Sequence, residues 1–206
     1  MPRSRRAPAF SPFSGDAFRA STYDVPLWVC PNRRHGRWNV AGRDCTQYLS
    51  LDPHAPYAEM LRAEDLRSEP EAQMLLSTVW QLRVEEGALV DYGTFEKAEA
   101  AGFPPEALVE DDYERCQAEA DFLRSKGARG LITPSAALPG SQSLTLFGPR
   151  VEVQWDTVPA LASMMPVRRL TTRAPAPAGL VHRVRFRGME HGPLVEFMTR
   201  QRRRLP

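Results

Sequence analysis

At 206 residues, 42% apolar and 25% charged, the chain has the composition of one folded domain with tails and not of a disordered protein. No apolar run approaches the ~20 residues of a membrane span, and residues 1–16 carry Arg3, Arg5 and Arg6 with no apolar stretch behind them, so a cytoplasmic protein is expected, with no membrane contact. Seven arginines near the ends (Arg3, Arg5, Arg6, Arg200, Arg202, Arg203 and Arg204) leave 20 basic against 25 acidic residues over 7–199, a body poorly matched to a nucleic-acid backbone.

Residues 1–16, rich in Pro, Arg, Ser and Ala, read as a flexible basic arm. From Phe18 to Tyr48 the chain is dense in aromatic residues and arginines, and Gly36 and Gly42 break it into short strands and loops. Residues 47–50 read as a strand. Asp52 as N-cap with Pro53 at the first helical position then opens a helix through Ala58, Leu61 and Leu66. Residues 78–84 alternate as a strand, and 88–91 read as another. A short helix over 95–101 stops at Gly102, and a longer one runs from Asp111 or Asp112 to just before Gly127. Three short strands follow at 131–133, 144–147 and 151–155. Beyond Pro159, residues 173–179 alternate Ala and Pro like a linker, and 182–187 (HRVRFR) read as an edge strand. The mixture, without a regular βαβ rhythm, predicts a single α+β domain around a mixed sheet. Its expected extents are an arm over 1–16, a core over 17–158 and a C-terminal extension over 159–206.

Three cysteines, Cys30, Cys45 and Cys116, are too few and too odd for a disulfide framework and fit a reducing compartment. Cys30 and Cys45 flank His35, but no CxxC or HxxxH spacing accompanies them and a closed zinc site needs four ligands, so no metal is expected. A Walker A loop, GxGxxG, HExxH and GxSxG are all absent, which removes most P-loop hydrolases, dinucleotide dehydrogenases, zincins and α/β-hydrolases.

What remains is an ordered set of short motifs: Gly36-Arg37-Trp38-Asn39, Gly42, Gln47-Tyr48-Leu49-Ser50, Ala58-Glu59, and later Thr133-Pro134-Ser135-Ala136 followed by residues 144–147. Arg37 and Tyr48 are eleven residues apart, as are Tyr48 and Glu59. From Arg19 to about Trp155 the chain resembles the RES domain family. It departs from the family pattern at His35-Gly36, where a Gly-Gly pair is more usual, and at Val40-Ala41, where proline-rich sequence is more usual.

The resemblance implies a fold like that of the ADP-ribosyltransferases, NAD⁺ as substrate, and cleavage of the nicotinamide–ribose bond by hydrolysis, phosphorolysis or transfer of ADP-ribose to a protein. It also implies a toxin of a toxin–antitoxin system, held silent by an antitoxin with an Xre-type helix-turn-helix. On that reading Glu59 stabilises the oxocarbenium-like ribose and orients the nucleophile. Arg19 and Arg37 hold the pyrophosphate. Tyr48 offers a ring face and a hydroxyl, Ser135 hydrogen-bonds the nicotinamide amide or ribose, and Tyr23 helps to line the cleft.

Without the resemblance each has an ordinary reading: Glu59 a solvated helix carboxylate, Arg37 a cation–π partner of Trp38, Tyr48 a core residue and Ser135 a turn former. His35, His54, His182, His191, Trp28, Trp80 and Trp155 read as structural, and Glu114, Glu119 and Asp121 as one solvated helix face. The rival functional reading is a catalytically silent RES-like module that binds NAD⁺ or ADP-ribose, motivated by the altered glycine loop and the C-terminal extension. A nucleic-acid module rests on the arginine tails alone.

Overall fold

The computed structural model describes residues 7–21 and 23–204. Among these residues seven strands form one mixed sheet: β1 (Ser11–Ser21), β2 (Thr46–Ser50), β3 (Ser77–Asp91), β4 (Gly130–Pro134), β5 (Gln142–Phe147), β6 (Val151–Gln154) and β7 (Met164–Ala174). Their order is β1-β2-β5-β4-β3-β7-β6, and a further pairing of β1 with β3 closes the first five into a barrel. Pairing is antiparallel except for β3–β4 and β6–β7. Closure is lopsided. β1 runs along β3 from Ser11↔Leu89 to Ser21↔Thr78, whereas it meets β2 only at Phe18↔Ser50.

Alternation fills the barrel: Ala17, Leu49, Leu82, Val84, Leu144 and Leu146 point inward and are buried. The two strands expected at 78–84 and 88–91 are one, β3. Its register with β1 slips between Ser11 and Phe13, which places the extra residue near Gly87 and moves Leu89 onto the inner face. That slip disguises one strand as two.

Among the described residues five α-helices, α1 (Ala55–Ala63), α2 (Glu69–Met74), α3 (Phe95–Ala100), α4 (Glu114–Ser125) and α5 (Gly192–Arg204), cover the barrel in two groups. Cys116, Ala120 and Leu123 of α4 pack with Phe95, Trp38 and Phe147, and Phe197 of α5 joins them. Ala55, Ala58 and Leu61 of α1 pack with Ala72 of α2 and with Leu180, Val181, Val184 and Phe186. Asp52 does not cap α1: its Oδ1 accepts from the His54 amide at 2.7 Å, and the helix starts at Ala55 with Pro56 in its first turn.

The expected tails contain regular structure. Residues 11–16 lie in β1, because the long β3 supplies a partner edge that composition does not reveal; Arg3, Arg5 and Arg6 lie outside the described residues. Residues 164–174 form β7, and α5 carries Arg200, which pairs with Glu96 at 2.9 Å. The edge strand expected at 182–187 is instead a 3-10 turn (Leu180–Arg183) followed by extended chain whose Val184 and Phe186 pack on α1. Among the described residues, no helix is long and apolar enough to cross a membrane.

Gly130 sits at a close approach of the barrel strands. A Cβ there would strike the Thr145 carbonyl oxygen and reach 3.0 Å from the Leu89 side chain. Gly130→Ala is expected to cost about 2–3 kcal/mol in chemical denaturation; a change under ~0.5 kcal/mol would show that the β3–β4–β5 junction is looser than this packing requires.

Candidate active site

Trp38 and Tyr48 locate the site. Residues 36–39 form a tight turn, with the Gly36 amide donating to Asn39 O at 3.2 Å and Gln117 of α4 donating to both turn carbonyls. Trp38 plunges into the core and Arg37 is left at the turn's tip. The Tyr48 hydroxyl donates to Asn39 Oδ1 at 2.8 Å and accepts from the Trp38 amide at 2.9 Å. A Cβ on Gly36 would collide with that hydroxyl and with Asn39, so only glycine lets the turn close over Tyr48. Burial pushes the Tyr48 phenol up, out of its ordinary range. Its hydroxyl therefore holds the arginine turn.

Arg37 donates to Ala107 O at 3.0 Å and lies 4.8 Å from the centre of the Tyr113 ring. Arg19, on β1 one residue past the single β1–β2 pair, donates to Gln47 Oε1 at 3.2 Å and lies 4.9 Å from the centre of the Trp28 ring. Gln47 holds this corner: it also accepts from the Trp28 amide and donates to Trp28 O and Gly148 O. Burial draws the Arg19 guanidinium down to about 10, against the opposing pull of Glu59, and it stays charged at neutral pH. Tyr23, 65% exposed, packs its edge on Trp28 at 5.5 Å and so touches the outer wall of the same corner.

Glu59 sits on α1 facing these groups. Its side chain is half-buried, yet protein crowds the carboxyl from several sides, and this desolvation pushes it up to about 7. The Ser143 hydroxyl, donating to Oε1 at 3.4 Å, and the Arg19, Arg37 and Arg62 guanidiniums pull the other way and do not win. Arg62, one helical turn on from Glu59, is buried; it donates to Ala136 O and Arg185 O and pairs with Asp111. The expected Arg19, Arg37, Tyr48 and Glu59 thus gather in one place.

Ser135 does not join them directly. It follows β4 as expected, but it is 0% exposed and its Oγ accepts from the Leu138 amide at 3.1 Å, so the hydroxyl shapes the turn 135–138. The serine that reaches Glu59 is Ser143.

Sequence reasoning missed Ser143, Arg62 and Trp28. Arg62 had a signal, since residues i and i+3 share a helix face. Ser143 had one too, because it alternates with the inward Leu144 and Leu146. Glu119, expected on a solvated face, is buried and accepts from the Tyr92 hydroxyl at 2.6 Å. A cavity of about 530 Å³ opens at the same strand ends, lined by Pro134, Gln142 and His191 among others, but Glu59 is not in its wall. The charged cluster, not that cavity, collects the reactive groups. Among the described residues no cluster of three or more His, Cys, Asp or Glu could hold a metal ion.

The sequence matches the RES domain family over residues 3–163, most of its length, and the chain belongs to that family. No curated protein matches it. Among solved structures, a chain of the M. tuberculosis MbcT–MbcA toxin–antitoxin complex superposes with a TM-score of 0.59 at 22% identity, over 77% of this chain and 84% of that one. At this identity the likeness establishes a shared fold.

A carboxyl raised on folding binds its proton more tightly in the native state. Its contribution to stability is full below pH ~4.5 and is lost as pH rises through about 7. Glu59→Gln is therefore expected to be more stable than wild type above pH 7, by about 1–2 kcal/mol after allowing for the open side of the group, and to lose that advantage below pH 5. Denaturant titrations at pH 5 and pH 8 check this; equal differences at both would show an ordinary solvated carboxylate.

Proposed function

We propose that this protein consumes NAD⁺ by cleaving the bond between nicotinamide and ribose, with Glu59 as the catalytic carboxylate. The observation that carries the reading is Glu59 held half out of water among Arg19, Arg37 and Arg62 in a chain of the RES family. Arg19 and Arg37 each keep guanidinium donors beyond those used on Gln47 and Ala107, and these suit the two charges of a pyrophosphate. Trp28 and Tyr23 offer apolar faces beside Arg19.

As the C1′–N bond breaks, its electron pair leaves with nicotinamide and positive charge grows on the ribose. The Glu59 carboxylate stabilises that charge. It then accepts the proton of the water or phosphate that adds to C1′, a task suited to a group titrating near neutrality. The positively charged nicotinamide ring favours the ionised carboxylate, so substrate itself helps to draw off the Glu59 proton. Ser143 orients the carboxylate, Tyr48 fixes the Arg37 turn, and Ser135 shapes the neighbouring turn 135–138.

The shared fold with a chain of a toxin–antitoxin complex supports a toxin role in the cytoplasm, where NAD⁺ is available, with an antitoxin as partner; an Xre-type helix-turn-helix protein is the partner proposed. Transfer of ADP-ribose to a protein target is the remaining fate of the same ribosyl cation.

NAD⁺ loss and nicotinamide release by purified protein, with and without phosphate, test the reading. Wild type is expected to turn over NAD⁺ with kcat/KM rising through pH ~7, and Glu59→Gln is expected to fall by about 100-fold or more. Dependence on phosphate identifies phosphorolysis, and its absence hydrolysis. A Glu59→Gln protein as fast as wild type contradicts the mechanism, and saturable binding without turnover supports a silent binding module.

A further inference from the structure

The segment beyond the RES match reaches into the site. Three successive carbonyls of the turn after β4 are all engaged. His191 Nε2 lies 3.1 Å from Ser135 O, Arg62 and Arg185 both donate to Ala136 O, and the Arg185 amide donates to Ala137 O at 2.9 Å. The His191 tautomer follows from its neighbours: Nδ1 accepts from the Leu194 amide, so the proton sits on Nε2 and points at Ser135 O.

Arg185 does more than cover the turn. Its Nη1 donates to Val109 O at 2.9 Å and lies 3.7 Å from Asp111, and its Nε donates to Met189 O. The Arg185 carbonyl in turn accepts from Arg62. Asp111 receives Arg62 on one oxygen and the Gly188 amide on the other. Arg62 is one turn from Glu59 and is among the cations that act on its carboxyl. Arg62, Arg185 and His191 are all buried. Buried donors in these numbers, spent on backbone carbonyls, fix geometry and leave little to a ligand.

We propose that Arg185 is a positioning residue for the Glu59 site: it clamps the turn 135–138 onto Arg62 of α1, so that residues 164–204 complete an active site whose reactive groups all lie earlier in the chain. Its kinetic consequence rests on the NAD⁺ reading; its structural consequence does not.

The test compares Arg185→Met, Arg185→Lys and wild type by amide hydrogen exchange and by NAD⁺ kinetics well below each melting temperature. In Arg185→Met the amides of 135–141 are expected to lose at least about tenfold in protection. In that variant kcat is expected to fall about tenfold or more while KM stays within about threefold, because geometry and not binding is lost. Arg185→Lys, which keeps the charge on a single donor nitrogen, should recover part of the kcat. Should Arg185→Met fail to fold, His191→Phe tests the same turn, since it removes the donor to Ser135 O while keeping an aromatic ring against Phe95. Unchanged exchange over 135–141, or a lower melting temperature with kcat and KM unchanged, overturns the proposal. If wild type consumes no NAD⁺, the function fails on its own account, and the exchange data still decide the clamp.

Discussion

Glu59 is held half out of water among cations that do not fully compensate it, and the rest of the site is arranged around that imbalance. Ser143, Arg19, Arg37 and Arg62 all favour the charged carboxylate, yet burial lifts it from 4.5 to about 7. After allowing for the open side of the group, the difference corresponds to about 1–2 kcal/mol against ionisation in the free protein. A cationic ligand would remove this penalty on arrival, so under the proposed reaction the carboxylate is held better against the developing ribosyl cation than alone. The arginines do not relax the imbalance: Arg62 is committed to Asp111 and Ala136, and Arg37 and Arg19 are each held partly aside, by Ala107 and the Tyr113 ring and by Gln47 and the Trp28 ring.

The barrel supplies the place for this cluster. Because β1 and β2 meet at one residue pair, the backbone leaves a notch on that side, and Arg19 crosses it to Gln47. The turn 36–39 brings Arg37 to the rim, pinned from beneath by Tyr48 and from the side by Gln117 of α4. α1 closes the third side. It is fastened to the C-terminal segment through Val181, Val184 and Phe186, so the segment that looked like an appendage in composition packs as part of the core. The same packing explains why 182–187 is not a strand: its apolar residues are consumed on α1 and, among the described residues, the segment pairs with no strand.

The α+β class, five of the seven strands among the described residues, in whole or in part, and the gathering of Arg19, Arg37, Tyr48 and Glu59 were legible in the sequence, because alternation and short ordered motifs are local signals. What was illegible depends on partners far along the chain. Residues 11–16 look like an arm until β3 offers them an edge, and β7 has a loose pattern because much of it is exposed. Ser135 and Ser143 show the limit most clearly. Both lie near strand ends with a plausible hydroxyl, and only the turn 135–138, closed by Ser141 and held from residues 185–191, decides that Ser135 faces inward while Ser143 meets Glu59. Arg62 lay within reach of helical spacing, but nothing local reveals that Asp111 and Arg185 surround it.

The central claim concerns the state of one carboxyl group, and it is tested most directly by the ¹³C chemical shift of the Glu59 carboxyl, followed against pH in wild type with and without ADP-ribose. A midpoint near 7 in the free protein, displaced when the pyrophosphate-bearing ligand occupies Arg19 and Arg37, is the result this account predicts. A midpoint near 4.5 that ignores the ligand would mean that Glu59 is an ordinary surface carboxylate and that the site lies elsewhere.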